Sequence, residues 1–313
     1  MNALPDLADD YLLQLTLRLV DGLGRIEPER RQRHAAYFRA AQNADGGFSG
    51  REGGSDLYYT AFALRGLAVL DVLTADVAEK AGAYLSASLQ SQASVVDLFS
   101  LLYAAALVEL AGAPSIFASS VADWPKRVAA AVETFRANDG GYAKSPGGGG
   151  STYHTFLAGL SHQIVGEPWP QTDGVLRFIA SRRRDDGGYV ELAPMRRSGT
   201  NPTAAAIGVR QLLGGVDAAV QEEVAAFMAS MVSIEGGLRA NSRAPVADLL
   251  STFTGTWTLH QLGAGQRIDL KGLRRYVDEL ELSTGGFRAG VWDDRADVEY
   301  TFYGLSCLAL TAE

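Results

Sequence analysis

The stretch "GGFRAGVWDDRADVEYTFYGL", residues 285–305, decides the fold, because the same sentence in other words reads "GGFSGREGGSDLYYTAFAL" at 46–64. Each is a glycine pair, a bulky side chain, a loop, an acidic residue and then an apolar run. A unit written twice and far apart points to an internal repeat, and such a period governs the whole architecture. Aligned on the residue that opens the apolar run, six copies emerge, opening at Asp56, Asp97, Ser151, Asn201, Asp248 and Asp297. All six are types whose side-chain oxygen caps a helix amino terminus. The runs behind them, such as "LYYTAFALRGLAVL" and "LFSLLYAAALVEL", have helical length. Pro202 directly follows its predicted cap, where a missing amide hydrogen costs nothing.

Each apolar run follows a more amphipathic one, for example "RRQRHAAYFRAAQ", "PKRVAAAVETFRA" and "VQEEVAAFMASMV". Between the two stands a Gly-Gly pair at 46, 140, 187, 236 and 285, followed by Phe48, Tyr142, Tyr189, Leu238 and Phe287. Glycine permits the left-handed backbone that ends a helix, and the bulky residue pins the turn to the core. The second copy, around "SLQSQASVVD", lacks the pair but keeps cap and helix. The pattern predicts an all-α protein with one amphipathic and one apolar helix per hairpin. The hairpins are expected at about 28–72, 77–112, 124–166, 172–215, 219–263 and 269–311. An open solenoid would leave the apolar helices wet, whereas a closed ring shelters them. The expected architecture is therefore a single α/α toroid domain over residues 1–313, an α6/α6 barrel whose six capped amino termini meet at one rim. Helix amino termini favour anions.

Composition limits the partners. The 313 residues are 47% apolar, enough for a large core, and carry a net charge of −8, which argues against broad binding to nucleic acid or an anionic membrane. The single cysteine, Cys307, makes no internal disulfide and points to a reducing compartment. The opening "MNALPDLADD" has neither a basic flank nor an apolar signal core, and the run at 98–111 is short for a membrane span. A cytoplasmic location without a membrane span is expected. The glycine run "KSPGGGG" at 144–150 lacks the rest of a P-loop and reads as a connection.

The word Q-x-x-D-G-G-[FY], a loop, then D-x-x-Y-T at the head of an apolar helix resembles the repeat of the protein prenyltransferase and squalene-cyclase family. The likeness is greatest to the β subunits of Rab geranylgeranyltransferases, and it extends from "YLLQLTLRLVDGLGRI" through "GGFRAGVWDDRADVEYTFYGLSCLAL". It implies an isoprenoid or prenyl diphosphate held in a central apolar cavity, transfer to a cysteine thiol through zinc, and a helical-repeat α subunit as partner. The family's zinc ligands fall on Asp248, Leu250 and Tyr300, of which Asp248 alone can ligate. One carboxylate does not make a tetrahedral site, so no cofactor is expected, and zinc is disfavoured.

The diphosphate residues are replaced as well. Their places fall on Asn201, Tyr153 and Ser251, with Ser242 and Pro245 ahead of the fifth cap. Arg239 and Arg243, in that loop, are candidates for a displaced anion site alongside Arg196 and Arg197, or else solvated surface residues. His154, three past its cap like Tyr59, Ser251 and Tyr300, is expected to face the cavity and is a candidate general base; as a lone histidine it equally suits packing. The class II cyclases of the same family protonate an alkene from this helix start, and the matching acid here is Glu299. Crowding by Asp297, Asp293 and Asp294 is expected to raise its pKa. Three functions therefore stand: a prenyltransferase-like protein that binds a prenyl group, a non-catalytic lipid-binding or scaffolding toroid, and a cyclase-like enzyme. The recurring aromatics of the capped helices serve as core in all three, and those facing inward suit a long apolar ligand.

Overall fold

The computed structural model describes residues 10–89, 94–117 and 123–312. The glycine-pair position of the second copy lies partly outside them. After a first helix, α1 (Tyr11–Gly24), twelve helices alternate between two layers. The amphipathic segments form α2 (Pro28–Ala40), α4 (Ala75–Ala87), α6 (Trp124–Glu133), α8 (Thr172–Ser181), α10 (Ala218–Ser230) and α12 (Leu270–Leu280). The apolar runs form α3 (Leu57–Val69), α5 (Val95–Leu110), α7 (Thr152–Val165), α9 (Thr200–Leu212), α11 (Leu249–Gln261) and α13 (Val298–Leu310). Each inner helix packs on the next, and α13 returns to pack on α3, so the ring is closed; each outer helix packs on its own inner partner. Among the described residues, no helix is long and apolar enough to cross a membrane.

Two of the expected caps shift. Helix α5 is capped by Ser94, whose hydroxyl accepts from the Asp97 amide and donates to the Asp97 carboxylate, a reciprocal pair that places Asp97 in the first turn. Helix α9 begins behind Gly199 in extended conformation, so Asn201 lies inside the helix and its side chain is released for contacts with α11. Asp56, Ser151, Asp248 and Asp297 cap as expected, each accepting from a first-turn amide.

A threonine four residues past the cap fixes five of the six repeats, the second having Leu98 there. The hydroxyls of Thr60, Thr155, Thr203, Thr252 and Thr301 accept from the buried amides of Phe48, Tyr142, Tyr189, Leu238 and Phe287, the residues behind the glycine pairs. Four of these hydroxyls donate back to the carbonyl of their own cap residue. A buried amide without a partner is costly, so this threonine holds the turn against its inner helix. In the last repeat the pairing extends to two short antiparallel strands, β1 (Phe287–Arg288) and β2 (Ala296–Asp297).

The seam between last and first repeats is densely tied. Gly285, at φ +92°, passes so close to α2 that an added Cβ would lie 2.7 Å from the Arg33 carbonyl oxygen. Arg30, Arg33 and His34 of α2 all engage Glu281. His34 also accepts through Nδ1 from the Gly286 amide, which leaves Nε2 to donate its proton to Glu281. Helix α1 closes the ring end opposite the caps. Tyr11 meets Gln163 and Gln261 near the carboxyl ends of α7 and α11, and Gly22 abuts the Ala309 backbone of α13.

Candidate functional site

Inside the ring, above α1, lies a cavity of about 550 Å3. Counted from the observed caps, most of its wall is drawn from inner-helix positions two, five, six and nine past the cap, the inward stripe of an α-helix, with His154 at position three joining it. The tier at the mouth consists of Tyr58, Val96, Tyr153, Asn201 and Leu250, with Glu299 as the sixth member beside the rim. Deeper come Phe62, Phe99, Phe156, Phe253 and Tyr303, and Trp257 near the floor. A second, more open pocket of about 690 Å3 lies at the rim against the last repeat, lined by Arg51, Tyr59, Trp292, Asp293, Asp297, Glu299 and Tyr300.

Glu299 stands where the two spaces adjoin. It lines the rim pocket, while its carboxylate accepts from the hydroxyls of Tyr58 at 2.6 Å and Tyr303 at 3.3 Å, both of which line the cavity. Burial raises its pKa, the tyrosine hydrogen bonds oppose that, and Asp297 adds to the rise. The expected crowding is thus a lesser cause than desolvation. Asp293 is neutralised by a bidentate Arg51, which also holds Asp297, and Asp294 is exposed.

His154 lines the cavity, but its Nδ1 is buried without a partner, and burial together with Lys144 pushes its pKa down to about 4. At neutral pH the ring is uncharged and a weak base. Beside it is Glu191, which the sequence reading missed because it lies on a loop outside the repeat signature. Its carboxylate accepts from the Ser151 hydroxyl and the Tyr153 amide, and burial raises its pKa. Arg65 was missed too, and Tyr58 and Tyr303 stood only among the recurring aromatics of the capped helices; the inward stripe counted from Asp56 and Asp297 finds all three.

The other candidates divide. Tyr153 and Asn201 line the cavity, Tyr59 and Tyr300 the rim pocket, and Asp248, Ser251, Arg239 and Arg243 are absent from both linings. Arg239 turns to the Ser230 and Met231 carbonyls, and Arg243 is exposed. Asp248 accepts from the Ser251 amide and hydroxyl, and Asn201 donates onward to Ser251. Leu250 offers no donor atom there, and among the described residues no group of three or more His, Cys, Asp or Glu is placed to hold a metal. The residues present do not fit zinc. Cys307 is buried and its thiol pKa is pushed up by desolvation, so it is not a thiolate.

Residues 11–101 and 96–313 match the sequence model described as Prenyltransferase alpha-alpha toroid domain. Among solved structures, the chain is similar to protein geranylgeranyltransferase-I from Candida albicans complexed with GGPP, at 14% identity and TM-score 0.71 over 90% of both chains. It is also similar to the type II terpene cyclase MstE from Scytonema, at 13% identity and TM-score 0.63 over 94% of this chain and 98% of that one. A third similar structure is an α-1,6-mannanase from Salegentibacter, at 10% identity and TM-score 0.57 over 91% and 98%. No curated protein sequence matches. Identities this low establish the shared fold and leave the chemistry to the side chains.

Proposed function

Because the chain belongs to the prenyltransferase α/α toroid family, we propose that it binds an isoprenoid chain in its central cavity without zinc-dependent transfer to a thiol. The observation that carries this reading is the cavity itself, about 550 Å3 and walled by aromatic side chains from the inner helices. Apolar enclosure of this size is what a long hydrocarbon ligand requires. The similarity to a geranylgeranyltransferase bound to GGPP supports the same ligand class. Against transfer stands the donor set, since Asp248 has no ligating companions at Leu250 and Tyr300. A helical-repeat α subunit belongs to the transferase form of the reading and is not needed for binding.

The test is a direct binding measurement. Farnesol titrated into purified protein should quench the emission of Trp257, and Ala204→Trp, which fills the cavity, should abolish binding while leaving the helical circular dichroism intact. Unchanged affinity in that variant would refute the cavity reading.

A second reading, proton-initiated cyclisation, is favoured by one feature: Glu299 is a half-buried carboxyl of raised pKa gripped by two tyrosines that line the cavity. A raised pKa brings a carboxyl closer to the working range of a general acid. Conversion of an isoprenoid without any acceptor, lost in Glu299→Gln, would establish it. Turnover that survives the substitution would remove it.

A further inference from the structure

Arg65 is the part of the cavity that neither reading uses. It lies nine residues past Asp56 on α3, so it sits about 13 Å below the rim at the usual helical rise. Its tier is otherwise uncharged, with Tyr103, Leu160, Gly208, Trp257 and Ser306 at the equivalent positions. The guanidinium packs over three rings, 4.1 Å from the centroid of Phe302, 4.9 Å from Phe62 and 5.1 Å from Tyr103. Beside it the Tyr103 hydroxyl meets Thr16 of α1 at 3.4 Å, which places the group close to the floor.

Among the described residues, no carboxylate or carbonyl engages Arg65, and its Nε is buried without a hydrogen-bond partner. Arg65 is half-buried in a largely apolar wall with three ring faces against it, and such a cation is under-compensated where the dielectric is low. The other cation lining the cavity, Lys144, is exposed and hydrated. Arg65 also lies over Phe62, one of the rings that line the cavity. It matches the opposite charge. A single guanidinium, without a second cation, neutralises one negative charge and pairs in planar fashion with a carboxylate, whereas a diphosphate requires several donors.

We propose that the ligand of this cavity is a long-chain or isoprenoid carboxylate whose head group is buried against Arg65, at the floor of the barrel instead of at the rim. The proposal rests on the cavity reading above and specifies its ligand class. The head group enters first and the apolar chain extends upward along the aromatic stripe.

Isothermal titration of farnesoic acid, farnesol and farnesyl diphosphate at pH 7.5 separates the two levels. The wild type should bind farnesoate about 10- to 100-fold more tightly than farnesol, the range for a buried charge-assisted hydrogen bond. Arg65→Met should erase that margin by weakening farnesoate alone, and Arg65→Lys, which keeps the charge, should retain part of it. Equal affinity for acid and alcohol, or a margin that survives Arg65→Met, overturns the proposal while leaving the cavity reading standing. A margin lost in Lys144→Met but kept in Arg65→Met places the anion at the mouth and also overturns it. Tighter binding of the diphosphate than of farnesoate refutes the singly charged head group. Absence of binding by all three ligands removes the cavity reading itself. Should Arg65→Met fail to fold, the wild-type margin and the Lys variant still decide.

Discussion

Replacing Gly285 with alanine tests whether the ring is held shut at the seam between the sixth and first hairpins. Gly285 sits at φ +92°, and its missing Cβ would lie 2.7 Å from the Arg33 carbonyl oxygen and 3.1 Å from the Tyr37 Cβ. Alanine must therefore bear the left-handed backbone, about 1–2 kcal/mol, and push α2 away, an overpacking cost of about 1–3 kcal/mol. The sum is about 2–5 kcal/mol. Gly53 supplies the control, because it has φ +88° and open space where its Cβ would go. Gly53→Ala should cost the backbone part alone, about 1–2 kcal/mol. Urea midpoints of the two variants at equal m-values measure the difference. Hydrogen exchange should also rise across residues 33–37 in Gly285→Ala and stay unchanged in Gly53→Ala. Equal destabilisation by both substitutions would show that the close approach to α2 contributes nothing, and the account of ring closure would fail.

Other outcomes follow from the same contacts. Thr301→Val strips the buried Phe287 amide of its acceptor and should lower stability by about 1–3 kcal/mol in urea titration, with Thr301→Ser restoring most of it. Glu299 has a folded-state pKa raised by burial, so the folded chain holds the proton more tightly than the unfolded one. Its contribution to stability is greatest at low pH and declines as pH rises from the unfolded carboxyl value, about 4.3, through the folded one. Stability measured against pH should therefore fall less steeply in Glu299→Gln than in wild type across that window. Parallel curves would contradict the burial of this carboxyl.

The fold was legible because its repeat is written in residues with one backbone job each. Glycine pairs that permit left-handed turns, bulky residues behind them and side chains that cap helices recur in register, and hydrophobic runs decide which helix of each hairpin faces inward. The register itself was misread in two repeats, for a physical reason. Asp97 and Asn201 are good capping types, yet Ser94 completes a reciprocal pair with Asp97, and Gly199 serves as cap with no side chain to announce it. The threonine four past the cap was the better ruler, since Thr203 marks Gly199 unambiguously once its bond to the Tyr189 amide is known. Position three past the cap was also expected to face the cavity, whereas the inward stripe runs mainly through positions two, five, six and nine. His154 does line it, while Tyr59 and Tyr300 fall on the rim pocket and Ser251 is buried against Asp248.

The corrected register turns the inward stripe into a chemical readout. A barrel of this kind offers its ligand a tier of six side chains at each depth, and the repeats vary those tiers freely because the turn, the cap and the threonine carry the fold. At the mouth tier this chain presents tyrosines, apolar residues, an amide and a single acid, Glu299; nine residues below the caps it presents one cation, Arg65. Zinc-thiolate chemistry needs soft donors gathered at the rim, and the rim supplies instead an arginine locked between two aspartates. A cationic cascade would have to pass the fixed positive charge of Arg65, which lies against Phe62 deep in the cavity. What remains compatible with every tier is an apolar chain that meets a positive charge at the bottom and a protonatable carboxyl at the top. Charge placement by depth therefore constrains the ligand more sharply than the shared fold does.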